Sequence, residues 1–168
     1  MAGKMKPIQQ NAFQKVLHRV TATRPVVDFF APRIHRIDLF VLKLTGGKYT
    51  LAEIAGWMII QLTTIGAKTG QERTLPLLAG VDGDTIALIA SSFGRERNPG
   101  WYYNLKKNPE CKITYKGNSS TYVAREVSGD EYDTYWKVVS STYPSGYAYY
   151  RTLVSRRHIP VMVLEPKK

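Results

Sequence analysis

Hydrophobic and polar residues change their spacing near Gly56, and each half of the pattern predicts its own secondary structure. Before Gly56, apolar residues recur every three or four positions, which is typical of amphipathic helices. After it, short runs of β-branched and aromatic residues are separated by Gly, Asn and Asp, which is typical of strands and turns. The pattern therefore predicts a helical N-terminal segment, residues 1–48, and a strand-rich part, residues 49–168, within one structural domain.

Two amphipathic helices are predicted in the N-terminal segment. The first is followed by Pro25, and the second is ended by Gly46 and Gly47, since glycine commonly ends a helix. The apolar face consists of Ile8, Ala12, Phe13, Val16, Leu17 and Val20 in the first helix and of Ile34, Ile37, Val41 and Leu44 in the second.

Six short strands are predicted after Gly56, at Trp57–Ile65, Arg73–Gly80, Thr85–Ser91, Lys112–Lys116, Thr121–Val127 and Ile159–Leu164. A short helix is predicted at Trp101–Lys107, and Ser128 with Glu131 resembles a capping box that starts a helix running to about Thr142. A closed barrel leaves no strand edge exposed. We therefore predict an α+β fold, a six-stranded antiparallel barrel with flanking helices and an N-terminal helical extension.

Length and composition are those of a globular protein of one domain. The chain has 168 residues, 43% of them hydrophobic. No apolar run approaches the roughly 18 residues that a membrane-spanning helix needs. Residues 1–7 show no apolar stretch followed by a cleavage site, so no secretory signal is predicted. The single cysteine, Cys111, excludes an internal disulfide and is interpreted as a structural thiol in a reducing, cytoplasmic setting.

The net charge of +11 is concentrated at the front of the chain. Residues 1–48 hold nine Lys and Arg against two acidic residues, which gives +7. The predicted helices either pack on the domain with a solvated basic face or, in the case of the first helix, lie on an anionic membrane surface. The second alternative would place the protein on the inner face of the cell membrane. Liposome flotation with and without residues 1–30 distinguishes the two, because equal recovery in the soluble fraction would exclude membrane binding.

Three other classes of function find no support in the sequence. No nucleic-acid-reading motif is present, so no nucleic acid partner is predicted. The histidines, His18, His35 and His158, have no metal-ligand spacing, so no metal site is predicted. No serine lies in a Gly-x-Ser-x-Gly frame, so there is no sign of a hydrolase.

Candidate chemistry begins at a tight turn between the first two strands. Gly66 and Gly70 bracket Ala67-Lys68-Thr69, which holds a lysine on a loop, and Arg73 follows at the start of the next strand. Two cations beside backbone N–H groups suit a phosphate or a carboxylate, because each contact to an ionised oxygen is a charge-assisted hydrogen bond. Taken alone, these residues are also typical of a solvated surface turn.

Several motifs together resemble one known family. The turn reads G-A-K-T-G-Q-E-R from Gly66 and is followed by Ser91-Ser92-Phe93-Gly94, by N-P-G-W-Y-Y-N-L-K-K-N-P at residues 98–109, and by I-P-V-M-V-L-E-P at residues 159–166. From about Arg33 to Pro166 the chain is similar to the deazaflavin-dependent nitroreductase family, whose members use reduced coenzyme F420, an 8-hydroxy-5-deazaflavin with an oligoglutamate tail. The resemblance implies a split β-barrel like that of FMN-binding reductases.

The resemblance also implies a cofactor site along the barrel. The residues would be Lys68, Thr69 and Arg73 for the acidic tail, Pro76 and Leu78 under the ring, Ser91, Ser92, Phe93 and Gly94 at its polar edge, and Asn98, Pro99, Trp101, Tyr102 and Asn104 around the pocket. Some relatives carry lysine at the position of Ser92, so one charge contact to the cofactor would be absent here.

The implied reaction is transfer of a hydride from C5 of the reduced deazaflavin to a quinone, a nitroaromatic or an activated alkene. A proton must also reach the product, and a tyrosine hydroxyl or water can supply it. The segment from Tyr143 to Tyr150 is rich in tyrosine. In relatives, tyrosines of this segment close over the substrate, so the candidate catalytic residues are Tyr143, Tyr147 and Tyr150. Which of Tyr147, Tyr149 and Tyr150 faces the pocket stays open.

Two other functions stand beside this one. The same barrel could serve a reductase that uses FMN, or a non-catalytic protein that holds a lipid or a haem. Lys68 and Arg73 discriminate between them, because neither FMN nor a fatty acid needs two cations at that distance from the ring. A homodimer also fits the resemblance, since split barrels commonly pair.

Overall fold

One antiparallel sheet of seven strands organises residues 56–154 and 157–167, the part of the chain that the computed structural model describes. The strands are β1 (Ile59–Ile65), β2 (Glu72–Leu78), β3 (Gly80–Asp82), β4 (Thr85–Ile89), β5 (Glu110–Tyr115), β6 (Asn118–Val127) and β7 (Val161–Pro166). Three helices accompany them, α1 (Gly100–Lys107), α2 (Gly129–Ser140) and α3 (Pro144–Leu153), with a short helical turn at Ser92–Gly94.

All six strands expected from the sequence are present, and the seventh arises by division of one of them. The run expected at Arg73–Gly80 becomes β2 and β3, which are separated by Ala79 alone. The first of these pairs with β1 and the second with β4, so the chain changes its hydrogen-bonding partner at this buried alanine. The two expected N-terminal helices and the segment 1–48 lie outside the described residues.

The order of the strands requires the sheet to curl. The order is β2-β1-β5-β6-β7-β4-β3, so β2 and β3 form its two edges although they are neighbours in the chain. A single residue between them brings the edges together, and every described ladder is antiparallel. The expected closed barrel of six strands is therefore corrected to a curled half-barrel of seven, open along the seam between β2 and β3.

The curled sheet has a core on each side. The concave side is filled by alternate, fully buried residues of four strands, Ile60, Leu62, Ile86, Leu88, Ile113, Met162 and Leu164. The intervening residues of β4 and β7 point to the other side, where they pack with residues of α2 and α3 in a second cluster, Ala87, Ile89, Val127, Trp136, Val139, Tyr147, Val161 and Val163. Burial on both faces explains why β4 and β7 are almost uninterrupted apolar runs in the sequence.

Helix α2 begins where the sequence predicts, but its capping differs. Ser128 is the N-cap residue and makes no side-chain capping bond. The carboxylate of Glu131 instead accepts two hydrogen bonds from Arg125, at 2.6 and 2.8 Å, and Arg125 also contacts Glu165 at 3.1 Å. The predicted capping box is therefore wrong, because the Glu131 carboxylate pairs with the guanidinium of Arg125 on β6 and not with the start of the helix. These exposed ion pairs add little stability.

Cys111 is buried on the concave side of β5. Burial, and to a smaller extent the charge of Glu110, raise the pKa of its thiol to about 12. The thiol is therefore protonated and shielded at neutral pH, as expected of a structural cysteine. Among the described residues, no helix is long and apolar enough to cross a membrane.

We expect Gly80→Ala to lower the free energy of unfolding by about 1–3 kcal/mol, because a new methyl group would overpack the junction of β3 and α2. A Cβ at Gly80 would lie 2.9 Å from Val138 Cγ1 and 2.9 Å from the backbone of Val139. The matched control is Gly100→Ala, where a Cβ meets open space. Urea unfolding measures both, and equal stability of the two variants would contradict the close packing of β3 on α2.

Candidate functional site

The turn between β1 and β2 is tight and closed by its own backbone. The Gly66 N–H donates to the Gln71 carbonyl and the Gly70 N–H to the Gly66 carbonyl, both at 2.8 Å. A Cβ at Gly66 would lie 2.6 Å from Thr69 Oγ1, and Gly70 has φ of +69°, so both positions favour glycine. The structure thus confirms the turn that the two glycines predict.

Helix α1 holds this turn in place. The side chain of Asn104 accepts a hydrogen bond from the Ala67 N–H at 2.9 Å and donates one to Thr64 Oγ1 at 3.0 Å. The ammonium group of Lys107 donates to the Ala67 carbonyl at 2.7 Å. Both backbone groups of Ala67 are therefore satisfied by one helix. Asn104, expected from the resemblance to lie in the pocket, uses both ends of its amide to hold the turn.

The next groups along the turn remain available to a ligand. Lys68 is exposed, and neither its ammonium group nor the backbone N–H groups of Lys68 and Thr69 make a hydrogen bond to residues 56–154 or 157–167. Arg73 is exposed on β2 opposite Thr64, and its guanidinium donates to Gln71 Oε1 at 3.1 Å. Two cations beside two successive free N–H groups form an anion-binding arrangement.

The residues expected under the ring lie farther along β2 and on its other face. In the ladder with β1, Pro76 pairs with Gln61 and Leu78 with Ile59, whereas Arg73 pairs with Thr64 on the face of the barrel core. Leu78 also packs against the cluster beneath α2 and α3. At the rise of an extended strand, Arg73 and Leu78 are separated by roughly 16 Å. A ligand that meets both sets of residues has to pass around the edge of the sheet that β2 forms.

A second loop, Ser91–Asn98, has an unusual backbone, and we call it the left-handed loop. Ser92, Phe93 and Gly94 have φ of 52°, 56° and 77° in succession. Such a conformation costs roughly 1–2 kcal/mol for each residue that carries a Cβ. Two hydrogen bonds close the loop, from the Gly94 N–H to the Ser91 carbonyl and from the Arg95 N–H to the Ser92 carbonyl. Strain of this kind is concentrated at functional sites.

The exposed groups of the left-handed loop are those that the resemblance assigns to the ring's polar edge. The N–H groups of Ser92 and Phe93 make no hydrogen bond within the described part of the chain. The side chain of Phe93 is 69% exposed and meets the ring of Tyr150 edge-on, with 6.2 Å between centroids. The loop therefore presents two backbone donors next to an aromatic surface.

Arg157 contacts the left-handed loop, and the sequence did not reveal this contact. Its Nη2 donates to the Ser91 carbonyl and its Nε to the Arg95 carbonyl, both at 2.9 Å, and its Nη1 donates to Asn98 Oδ1 at 2.5 Å. These three partners lie 59 to 66 positions earlier, so no local pattern pointed to it. Lys107 and Asn108 were also missed, although both lie in the N-L-K-K-N-P string that carries the resemblance.

The remaining pocket candidates on α1 have partners in the protein itself. Pro99 is the N-cap residue of the helix, and Trp101 is only 5% exposed. The Tyr102 hydroxyl donates to Glu126 Oε2 at 3.0 Å, and Lys106 contacts the same oxygen at 3.0 Å. Burial, and then the hydrogen bond to Glu126, raise the pKa of Tyr102 to about 12. These side chains fasten α1 to the end of the barrel.

The three candidate catalytic tyrosines have different surroundings. Tyr147 is 5% exposed and packs edge-on against Trp136, Tyr143 and Tyr150, and burial raises its pKa far above the usual value. Burial also raises the pKa of the half-buried Tyr143, whose ring lies over Gly146. Tyr150 is the one of the three that contacts the left-handed loop.

Metal binding has no visible site among the described residues. No group of three or more His, Cys, Asp or Glu side chains comes together there. His18 and His35 lie outside that part of the chain, and the ring of His158 lies 4.9 Å from that of Tyr132.

Comparison with known proteins relates this arrangement to a family. Residues 34–166 match the family model described as F420H(2)-dependent quinone reductase. An F420H(2)-dependent quinone reductase of Mycobacterium tuberculosis strain H37Rv is 39% identical over 105 residues, which make up 61% of this chain and 70% of that protein. The matched range agrees with the range, Arg33 to Pro166, over which the motifs resemble a deazaflavin-dependent family.

Two solved structures share the fold. An F420-H2 dependent reductase, FDR-A, matches with a TM-score of 0.59 and 36% identity, covering 64% of this chain and 93% of that one. A structure described as a domain-swapped dimer matches with a TM-score of 0.60 and 32% identity, covering 83% of this chain and 98% of that one. These matches confirm the split-barrel resemblance.

We expect Asn104→Ala to lower the free energy of unfolding by about 1–3 kcal/mol, because it leaves the Ala67 N–H and the Thr64 hydroxyl without their partner. Asn104→Asp keeps an acceptor for the Ala67 N–H but cannot donate to Thr64 when ionised, so its loss should be smaller. Urea unfolding of both variants tests this ranking. A fully stable Asn104→Ala would show that the turn does not depend on α1.

Proposed function

This chain belongs to the F420H(2)-dependent quinone reductase family, and we propose that it reduces a quinone with a hydride taken from reduced coenzyme F420. Membership makes the chain an oxidoreductase with coenzyme F420 as its cofactor. The observation that carries the proposal is the pair of exposed cations, Lys68 and Arg73, at a turn where the N–H groups of Lys68 and Thr69 make no hydrogen bond within the described residues.

The turn fits the anionic part of the coenzyme. The tail contains a phosphodiester followed by glutamates, and both groups are ionised at neutral pH. Lys68, Thr69 and Arg73 would bind these oxygens, aided by the backbone N–H groups of Lys68 and Thr69. The bonds of Asn104 and Lys107 to Ala67 keep those groups in place before the ligand arrives. A preformed site reduces the ordering cost of binding.

The ring would lie toward the far end of β2. Pro76 and Leu78 offer an apolar surface, and the left-handed loop offers the N–H groups of Ser92 and Phe93 to carbonyl oxygens of the ring. The loop is connected to α1 through Asn98, Pro99 and Trp101. These residues would affect the cofactor indirectly, because they determine where the loop lies. Because this chain has Ser92 where some relatives have lysine, the charged contacts to the cofactor would come from the turn alone.

The protein's own part in the reaction is alignment and protonation. Bound reduced coenzyme supplies a hydride. A quinone that has accepted a hydride is the conjugate base of a hydroquinone and takes up one proton. Tyr150 is the candidate donor, because it lies beside Phe93 at the left-handed loop, while the buried Tyr147 supports its ring from behind. A tyrosine hydroxyl can pass its proton to the substrate and regain one from water.

Substrate range and assembly are finer parts of the proposal. Nitroaromatics and activated alkenes also accept a hydride, and turnover of a menaquinone analogue beside a nitroimidazole and an enone ranks the three classes.

We propose a homodimer as well, supported by the domain-swapped dimer described for one similar structure. Sedimentation equilibrium at several protein concentrations tests it. Peripheral membrane association rests on the sequence of residues 1–30 and on the flotation experiment.

We expect Lys68→Ala and Arg73→Ala each to weaken binding of coenzyme F420 about tenfold, the equivalent of one charge-assisted hydrogen bond. Binding of FMN should weaken less, since FMN carries a phosphate on the same chain but none of the glutamates. Isothermal titration calorimetry measures the affinity for both ligands. Lys137→Ala is the control for the loss of a positive charge, because Lys137 is an exposed residue of α2. Tighter binding of FMN than of F420, with no effect of either substitution, would refute the assignment.

We expect Tyr150→Phe to lower kcat for quinone reduction by roughly a hundredfold, the contribution typical of one positioned acid, with the affinity for the cofactor unchanged. Tyr147→Phe serves as the matched control and should leave kcat within a few-fold, because its ring is part of the core. Stopped-flow measurement of cofactor oxidation separates the chemical step from product release. A full rate in Tyr150→Phe would assign protonation to water.

A further inference from the structure

Arg157 holds both ends of the left-handed loop with one side chain. We propose that Arg157 is a positioning residue of the cofactor site, whose guanidinium keeps Ser91–Asn98 in the conformation that meets the ring. This inference rests on the proposed function, because that function places the ring at this loop. Arg157 itself would act through the loop and not on the reacting atoms.

The hydrogen bonds of Arg157 enclose the left-handed residues. Ser91 precedes them and Arg95 follows them, and the carbonyls of both accept from the guanidinium at 2.9 Å. Asn98, three residues farther on, accepts from the same group at 2.5 Å. A guanidinium is a rigid, planar fork, so these bonds fix the distance between the two ends of the loop. Lysine offers one point charge and cannot reproduce this geometry.

The loop needs such a restraint because its own contacts are few. Ser92 and Phe93 hold positive φ, a conformation that residues with a Cβ disfavour. The loop's own backbone bonds are those of the Gly94 and Arg95 N–H groups, and the Phe93 side chain is largely exposed. No buried side chain in Ser92–Gly94 anchors the turn. Without the guanidinium, the two residues would relax toward negative φ.

The anchor point of Arg157 is itself fixed. The Ala90 N–H donates to the Pro160 carbonyl at 2.9 Å, and the pairing of β4 with β7 continues from there. Arg157 therefore belongs to the segment that enters β7, directly beside the strand from which the loop departs. The clamp joins the strained loop to the neighbouring strands β4 and β7.

The proposal separates two parts of the cofactor site. Arg157 governs the ring end, through the N–H groups of Ser92 and Phe93, whereas Lys68 governs the anionic end. A ligand that has the ring without the tail should therefore depend on Arg157 and not on Lys68. The deazaflavin that carries only its ribityl chain, without the phosphodiester and the glutamates, is such a ligand, and we call it the ribityl deazaflavin.

Calorimetric titration of full-length Arg157→Lys with oxidised F420 and with the ribityl deazaflavin tests the ring-end role. We expect both ligands to bind about tenfold more weakly, the equivalent of one lost hydrogen bond to a charged group. Lys68→Ala should weaken F420 alone. The matched control is Arg97→Lys, since Arg97 is an exposed arginine of the same loop. An unchanged affinity of Arg157→Lys for the ribityl deazaflavin would overturn the proposal.

Amide hydrogen exchange of the ligand-free protein tests the clamp without any cofactor. In Arg157→Lys we expect faster exchange at Gly94 and Arg95, whose N–H groups close the loop, and unchanged exchange at Gly70 in the distant turn. Faster exchange at all three positions, together with a large fall in Tm, would show a role in the whole fold and would also overturn the proposal. If wild-type protein binds neither ligand, the proposed function fails, and the exchange result still decides the clamp.

Discussion

The two hydrogen bonds of the Asn104 amide join helix α1 to the turn that carries Lys68, and the geometry of the candidate site depends on this link. The same helix begins directly after the left-handed loop, whose Asn98 is held by Arg157. Eight residues of helix span about 12 Å. One short, rigid element therefore sets the distance between the anion-binding turn and the loop assigned to the ring. Under the proposed function, substitutions that shift α1 would therefore alter the contacts at both ends of the cofactor.

The electrostatics of the site follow from which groups the protein satisfies internally. Glu126 forms an ion pair with Lys106 and accepts a hydrogen bond from Tyr102, and Arg125 forms ion pairs with Glu131 and Glu165. The charges of Lys106 and Arg125 are therefore neutralised by partners on the same surface. Lys68 has no such partner within the described ranges, and Arg73 contacts only the neutral amide of Gln71 there. In a chain of net charge +11, these two side chains thus remain without a carboxylate partner in those ranges, and an anionic tail can neutralise them.

The aromatic side chains of α2 and α3 give Tyr147 a structural position and place Tyr150, the proposed proton donor, beside the left-handed loop. Tyr147 packs between Trp136, Tyr143 and Tyr150, and burial suppresses its ionisation. Edge-on aromatic contacts restrict ring orientation. Tyr150 is thereby supported on one side by Tyr147 and on the other by Phe93, the exposed residue of the strained loop. Helix packing and loop conformation are coupled through these rings.

The sequence by itself determined the strands, the glycine turn and the family resemblance, because alternation, turn residues and short motifs are local signals. Glycines at 66 and 70 can be read as a turn without any knowledge of the partner helix. Only the tertiary structure decided that the run Arg73–Gly80 divides at Ala79, that Glu131 binds Arg125 and not the helix start, and that Tyr147 is buried. It alone revealed Arg157, whose partners lie some sixty positions away. Pairings at such separations depend on how the sheet curls, and no local pattern encodes that curvature.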